Sequence, residues 1–194
     1  GEYVVTVQSE QGCTATDTTT VIVYTKPSIP VISASGPLRF CEGNEVELSV
    51  PFMDYNIWWY ERDSLVQEDN AFSLLVSNSG FYSVFVSDSN GCSVSSDTVQ
   101  VIVDKNPVKP VITRNNTSLS TAVGFSRYEW FLNGNLLSAS GATFNAIQPG
   151  EYTVRVEDQN GCSSTSDSYE IRINNPPRII LGNASIYCYP NPVR

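Results

Sequence analysis

Apolar residues in this chain recur at every second position over short runs, and no stretch shows the three-to-four spacing of a helix. In Gly80–Val86 the residues Tyr82, Val84 and Phe85–Val86 sit among serines. In Gly150–Glu157 the residues Tyr152, Val154 and Val156 alternate with Thr153, Arg155 and Glu157. Period two over about six residues predicts a strand with one buried face. Each run ends in a turn cluster, Asp88-Ser89-Asn90-Gly91 or Asp158-Gln159-Asn160-Gly161. The closing glycine supplies the positive φ that a tight hairpin needs. A second alternating run follows each turn, at Thr18–Tyr24, Thr98–Val103 and Ser168–Ile173. The pattern predicts β-hairpins.

The hairpin phrase occurs three times: GEYVVTVQSEQGC from Gly1, GFYSVFVSDSNGC from Gly80 and GEYTVRVEDQNGC from Gly150, at offsets of 79 and 70 residues. Such a period suits one small domain per unit rather than a solenoid turn. Residues 1–26 read as the closing hairpin of a module whose front half is absent, expected to lean on the next module or on a neighbouring chain. Residues 27–105 read as a complete module, with strands at Pro30–Ala34, Glu45–Val50, Tyr55–Glu61, Ser64–Gln67, Ala71–Val76, Gly80–Asp88 and Thr98–Val103. Residues 106–175 form a shorter second module, in which Trp130 is the counterpart of Trp59. Proline-rich linkers, Lys26-Pro27-Ser28-Ile29-Pro30 and Asn106-Pro107-Val108-Lys109-Pro110, separate the units. Residues 176–194 change character and are set apart as a linker with the start of a further domain. Short strands with turn residues at regular spacing predict an all-β fold of tandem Greek-key sandwich modules, immunoglobulin-like in kind.

Within that fold four side chains are expected in the core. Trp59 and Trp130 would be the strand-C tryptophans. Tyr82 and Tyr152, each following Gly-x, match the tyrosine corner, in which the hydroxyl bonds back to nearby backbone. Pleat alternation then turns Trp58 and Tyr60 outward on one face, about 7 Å apart. Two rings so placed could stack on sugars, or pack against a neighbouring module.

Composition narrows the functions. The chain has 194 residues, no histidine and a formal charge of −9. Nucleic acid and anionic membranes call for a basic patch, so neither is an expected partner. Histidine-based zinc sites, triads and general bases are excluded from this sequence. No apolar run approaches the roughly 18 residues of a membrane span, and no membrane insertion is expected. The Asp-x-Asn-Gly turns resemble the start of a calcium loop, with Asp97 and Asp167 as late acidic partners, but hairpin chemistry explains them without a metal. No metal or cofactor is assigned. No nucleophile elbow, phosphate loop or carboxylate pair across a cleft is present, so no catalytic residue is assigned and the chain reads as a non-enzyme. Cys13, Cys92 and Cys162 each follow the turn glycine, and Cys41 sits in Phe40-Cys41-Glu42-Gly43 ahead of a strand. A Cys41–Cys92 disulfide closing the middle module is expected, which implies an oxidising compartment.

The Gly-x-Tyr-x-Val-x-Val…Asn-Gly-Cys phrase, with upstream Phe-Cys-x-Gly and a Trp-Tyr/Phe strand, resembles the tandem immunoglobulin-like repeats of Bacteroidetes secreted and surface proteins. Tyr189-Pro190-Asn191-Pro192 resembles the opening of the type IX secretion C-terminal sorting domain, although Cys188 stands where that domain has an aliphatic residue. The resemblance implies a secreted or cell-surface bacterial protein exported by a type IX-like route. It also implies O-glycosylation at Asp17-Thr18-Thr19, Asp63-Ser64-Leu65 and Asp97-Thr98-Val99. The expected role is a non-catalytic spacer or stalk presenting an upstream adhesive or catalytic part. The alternatives are a carbohydrate-binding module using Trp58 and Tyr60, or an accessory region of a polysaccharide hydrolase. Polysaccharide or other surface proteins are the expected partners.

Overall fold

The structure, a computed structural model, describes residues 1–52, 54–68, 70–172, 178–181 and 184–187. It is all-β: the described residues contain strands and turns and no helix. The chain divides into two compact units, residues 1–39 with 43–103, and residues 40–42 with 104–194.

The first unit opens with a free hairpin. Strands β1 (Glu2–Gln8) and β2 (Thr14–Thr20) pair without interruption from Glu2–Thr20 to Gln8–Thr14. β2 therefore begins directly after the turn and ends four residues before Tyr24, earlier at both ends than alternation suggests. Every residue from 1 to 26 is exposed. The expectation that this hairpin leans on the following module does not hold, because it buries nothing there.

The same unit then builds a sandwich from β3 (Ser33–Ala34), β4 (Arg39–Cys41), β5 (Val46–Ser49), β6 (Asn56–Glu61), β7 (Ser64–Gln67), β8 (Ser73–Val76), β9 (Gly80–Ser87), β10 (Ser93–Ser95) and β11 (Val99–Asp104). One sheet has the order β3-β5-β8 and the other β4-β11-β9-β6-β7, with β10 also pairing β9. The division between the two units passes through β4 and the end of β11, so Phe40–Glu42 belong with the second unit. Strand β9 shows why the alternation exists: its burial changes at each residue, with Tyr82, Val84 and Val86 inside and Phe81, Ser83, Phe85 and Ser87 outside. Val46, Leu48 and Val76 of one sheet and Ile57, Trp59, Val84, Val86 and Val101 of the other are the buried apolar layer. The chain crosses between the sheets several times, at β3–β4–β5–β6 and again at β7–β8–β9, as in an immunoglobulin-like sandwich.

The second unit repeats the plan with β12 (Thr113–Asn115), β13 (Ser118–Ser120), β14 (Arg127–Leu132), β15 (Asn135–Leu136), β16 (Thr143–Asn145), β17 (Gly150–Glu157), β18 (Ser163–Thr165) and β19 (Tyr169–Ile171). Its sheets are β12-β13-β16 and β15-β14-β17-β18, with β19 also on β17. Ile112, Leu119, Trp130, Ala146, Tyr152, Val154, Val156 and Ile171 form its core. Here β12 passes to β13 through a tight turn at Asn116, whose φ is 54°. The longer segment that carries β4 in the first sandwich has no counterpart. Two further strands, β20 (Arg178–Leu181) and β21 (Ala184–Tyr187), pair antiparallel.

One backbone device is common to both sandwiches and absent from the free hairpin. Ser93–Ser95 pair with Ser87–Phe85, while Val99–Val101 pair with Tyr82–Gly80, so the register slips by one residue between them. Arg155–Glu157 and Gly150–Tyr152 show the same slip against β18 and β19. This is a β-bulge. At the slip Ser96 donates its N–H to Val84 O, and its Oγ accepts the Val84 N–H at 2.9 Å. Ser166 does both for Val154, with its Oγ 3.0 Å from the Val154 nitrogen. The serine hydroxyl thus replaces the ladder carbonyl that the bulge displaces, and a buried N–H is not left bare.

Candidate functional site

The four residues expected in the core are all buried: Trp59 and Trp130 at 0% exposure, Tyr152 at 1% and Tyr82 at 6%. Each buried ring keeps its polar atom satisfied. The Trp59 indole N–H donates to Ala71 O at 3.0 Å, and that of Trp130 to Gly141 O at 2.9 Å. The Tyr82 hydroxyl donates to Asn78 O at 3.1 Å and the Tyr152 hydroxyl to Gln148 O at 2.8 Å. This is tyrosine-corner geometry, four residues back along the chain. Burial pushes the Tyr82 phenol above its ordinary pKa, and the Glu61 carboxylate nearby adds to the rise. A buried Tyr82 cannot join an aromatic surface.

The outward face of β6 and β9 is where ligand chemistry could reside. Trp58 and Tyr60 do share the side opposite Trp59, but both are half-buried rather than open. Trp58 lies directly across from Phe85 in the ladder, with ring centroids 5.6 Å apart. Further along, the Arg62 guanidinium sits 5.6 Å over the Phe81 ring, a cation–π contact. The result is a stripe of Trp58, Phe85, Tyr60 and Phe81 on one sheet face. Phe85 and Phe81 escape a reading of β6 alone, because only the register brings them beside it.

The second sandwich shows that the frame does not require this stripe. Glu129 and Arg155 face each other in the same ladder place that Trp58 and Phe85 occupy. They form an ion pair at 3.5 Å, and Arg127 approaches Glu129 at 2.7 Å. The position lies on the outward face of the sheet, filled by charge in one module and by aromatic rings in the other.

The acidic turns are closed hydrogen-bonding units. Asp88 Oδ1 accepts the N–H groups of Asn90 and Cys92 at 2.9 and 2.8 Å. Asp158 Oδ1 does so for Asn160 and Cys162 at 2.8 and 2.9 Å. In the free hairpin Ser9 Oγ takes the Cys13 N–H at 3.2 Å. A serine serving in place of the aspartate shows that the turn needs an acceptor, and a charge is optional. Among the described residues no group of three His, Cys, Asp or Glu side chains is gathered in metal-binding range.

The cysteine pairing corrects the sequence expectation. Cys41 is bonded to Cys162, 121 residues on, and Cys92 is a half-buried free thiol. Register explains the error. β4 lies on β11 at the level of residues 102–104, since Ile102 N–H donates to Leu38 O and Glu42 N–H to Asp104 O. That is the Gly80 end of β9, whereas Cys92 follows the turn beyond Ser87 at the other end. Eight strand residues separate the two levels, roughly 25 Å at strand rise. A disulfide needs Cα atoms within about 7 Å. Both bonded cysteines belong to the second compact unit, where further bonds gather the linker around them. Asn106 Nδ2 donates to Glu42 O at 3.0 Å, Ser164 Oγ to Pro107 O at 2.6 Å, and Lys109 pairs with Asp167. Cys188 and Tyr189-Pro190-Asn191-Pro192 lie outside the described residues.

No protein-family model matches the chain, and no curated protein matches it. Among solved structures it is similar to the fibronectin(III)-like modules of Clostridium thermocellum CbhA, at 17% identity over 72% of this chain and 92% of that one, with a TM-score of 0.42. It is also similar to murine CEACAM1b, at 18% identity over 74% and 98% of the two chains, with a TM-score of 0.39. At these values the fold assignment rests on the strand order described above.

Proposed function

We propose that the chain is a non-catalytic spacer of tandem immunoglobulin-like modules, part of a secreted or cell-surface bacterial protein, holding an adhesive or catalytic part away from the surface. The Bacteroidetes-type repeat phrase and the Tyr-Pro-Asn-Pro at 189–192 favour export by a type IX-like route. The observation that carries the spacer reading is the Cys41–Cys162 bond together with the linker bonds of Asn106 and Pro107. A disulfide in an exported protein resists reduction, and a linker bonded at Asn106, Pro107 and Lys109 has less freedom than an unbonded one. These are properties that a load-bearing stalk needs.

A second reading, a carbohydrate-binding module or an accessory region of a polysaccharide hydrolase, is favoured by one contrast. The outer face carries Trp58, Tyr60 and Phe85 in one module and an Arg–Glu pair in the other. Aromatic surface that the frame does not need is a candidate for stacking on sugar rings. Retention on insoluble polysaccharides separates the readings, with Trp58→Ala/Tyr60→Ala as the companion variant. The spacer reading expects no retention on any polymer. Retention that the double variant loses would overturn it and assign the site to Trp58 and Tyr60.

A further inference from the structure

The outward face of β6 and β9 in the first sandwich carries more than aromatic rings. Register sets Trp58, Phe85 and Ser95 in one row across the sheet, with Asn56 beside Ser87 on one side of that row and Tyr60 beside Ser83 on the other. Hydroxyl and amide groups therefore border the rings. Glu61 is the one charged residue of β6, β7, β9 and β10. It shares the inward side of the pleat with Trp59, and its Cγ lies 2.9 Å from the place that a Cβ on Gly80 would take, so it faces away from the stripe. The same face of the second sandwich holds Arg127, Glu129, Arg155 and Glu157. Resting on the carbohydrate-binding reading above, we infer that the ligand of this face is a neutral glycan, taken as a single soluble chain rather than as a flat crystalline surface.

Charge decides the first half. A uronate or sulfated polymer brings anions on its sugars, and removing them from water calls for a cation or a bidentate guanidinium in return. The strands of this face supply none. The Arg62 guanidinium, further along, is already engaged by the Phe81 ring. The chain as a whole carries −9, which repels anionic polymers at range. A neutral sugar asks for what the face offers: an apolar ring surface for its C–H groups, and uncharged donors and acceptors for its hydroxyls.

Ring geometry decides the second half. The Trp58 and Phe85 planes are inclined at 54°, with centroids 5.6 Å apart. Rings so tilted cannot both lie flat against one plane, so a crystalline surface would meet only one of them. A chain whose successive sugars turn relative to one another can meet both. From Asn56 to Tyr60 the face runs roughly 13 Å along the strand, room for a short segment of such a chain.

The test is native affinity electrophoresis of the 194-residue chain in gels holding a neutral soluble polymer (hydroxyethylcellulose, xyloglucan or galactomannan) or an anionic one (alginate or polygalacturonate). Co-sedimentation with microcrystalline cellulose runs alongside. Retardation by at least one neutral polymer, unchanged by salt, is expected, with none by the anionic polymers and no pelleting with the cellulose. Phe85→Ala should weaken binding about three- to tenfold. Trp58→Glu/Phe85→Arg installs the pair that the second sandwich accommodates at this place. It should keep its fold, checked by urea unfolding and buried-tryptophan emission, and bind nothing. Binding to the anionic polymers, or to crystalline cellulose alone, would overturn the neutral single-chain class while the carbohydrate reading stands. Binding to no polymer would remove both. Binding that the double variant keeps would take the ligand off this face, and a dimer that the double variant dissolves would give the face to a second copy of the chain; either overturns the proposal.

Discussion

The disulfide at Cys41 and Cys162 should govern how the chain responds to tension. A pulling force applied at the two ends travels along the backbone until it meets Cys41, crosses the sulfur bridge and leaves from Cys162. The 121-residue interval between the two positions carries none of it. At about 3.3–3.6 Å per extended residue, that interval hides roughly 400–440 Å of contour length. The perturbation is Cys41→Ser, or reduction of the wild type, and the assay is single-molecule force extension with handles at the termini. The fully stretched variant should exceed the oxidised wild type by that length. A bond from Cys41 to Cys92 would close an interval of only 51 residues, hiding roughly 170–180 Å. The two pairings therefore differ by more than a factor of two in a quantity the instrument resolves directly. An increment near the shorter value, or none, would refute the pairing. The same loop sets a thermodynamic scale: closing 121 residues corresponds, on chain entropy alone, to about 5 kcal/mol. A loss of apparent stability in Cys41→Ser well above that would point to packing around the bond rather than to the cross-link.

Three further outcomes test the frame. Tyr152→Phe removes the donor to Gln148 O inside a tightly packed corner, and urea unfolding should show a loss of about 1–3 kcal/mol; a change under about 0.3 kcal/mol would mean that the corner bond is ornamental. Ser166→Ala strips the acceptor from the buried Val154 N–H and should cost about 1–3 kcal/mol, whereas Ser166→Thr, which keeps the hydroxyl, should recover part of it; equal losses would reject the bulge argument. The raised pKa of Tyr82 gives a pH dependence with a definite sign. The folded state holds the phenol neutral longer than the unfolded state does, so its contribution is complete below the ordinary tyrosine pKa near 10 and is lost as pH rises through the raised value. Denaturation monitored between neutral and strongly alkaline pH should show this decline in wild type and less of it in Tyr82→Phe; parallel curves would reject the assignment.

What could be read from the sequence divides along physical lines. Alternation at Tyr82-Ser83-Val84 and Tyr152-Thr153-Val154 is local, and it predicts which rings go inside without any knowledge of neighbours. The turn clusters are local too. The strand at Arg39–Cys41 is three residues long, too short for any period, and it exists because β11 offers it an edge. The cysteine pairing fails for a related reason. Equivalent spacing suggests that Cys41 and Cys92 belong together, but a disulfide depends on which end of β9 each one reaches, and that is a matter of register. Phe85 likewise becomes a neighbour of Trp58 only once the ladder is known. The bulge serine left a trace that a comparison of copies reveals: Ser93–Asp97 is one residue longer than Thr14–Asp17, and the shorter copy is the one whose hairpin pairs without a slip.

That single residue has a consequence for how the three copies behave. In the two sandwiches the bulge divides the returning strand into a piece beside the turn and a piece near the tyrosine, and Val101 and Ile171 of the latter are buried. A slip of one residue exchanges the two faces of a strand. The extra serine is therefore what lets one strand serve the turn with one register and the core with another. The free hairpin has no such division, and its Tyr3, Val5 and Val7 stand about 60% exposed where Tyr82, Val84 and Val86 are buried. Its apolar positions repeat the core pattern of the sandwiches, yet among the described residues nothing lies over them, and a two-stranded ribbon by itself is marginal in water. The alternation of the phrase thus specifies a buried face, while the neighbouring strand that widens it, with Trp59 or Trp130, and the opposing sheet, with Leu48 or Leu119, decide whether that face becomes a core.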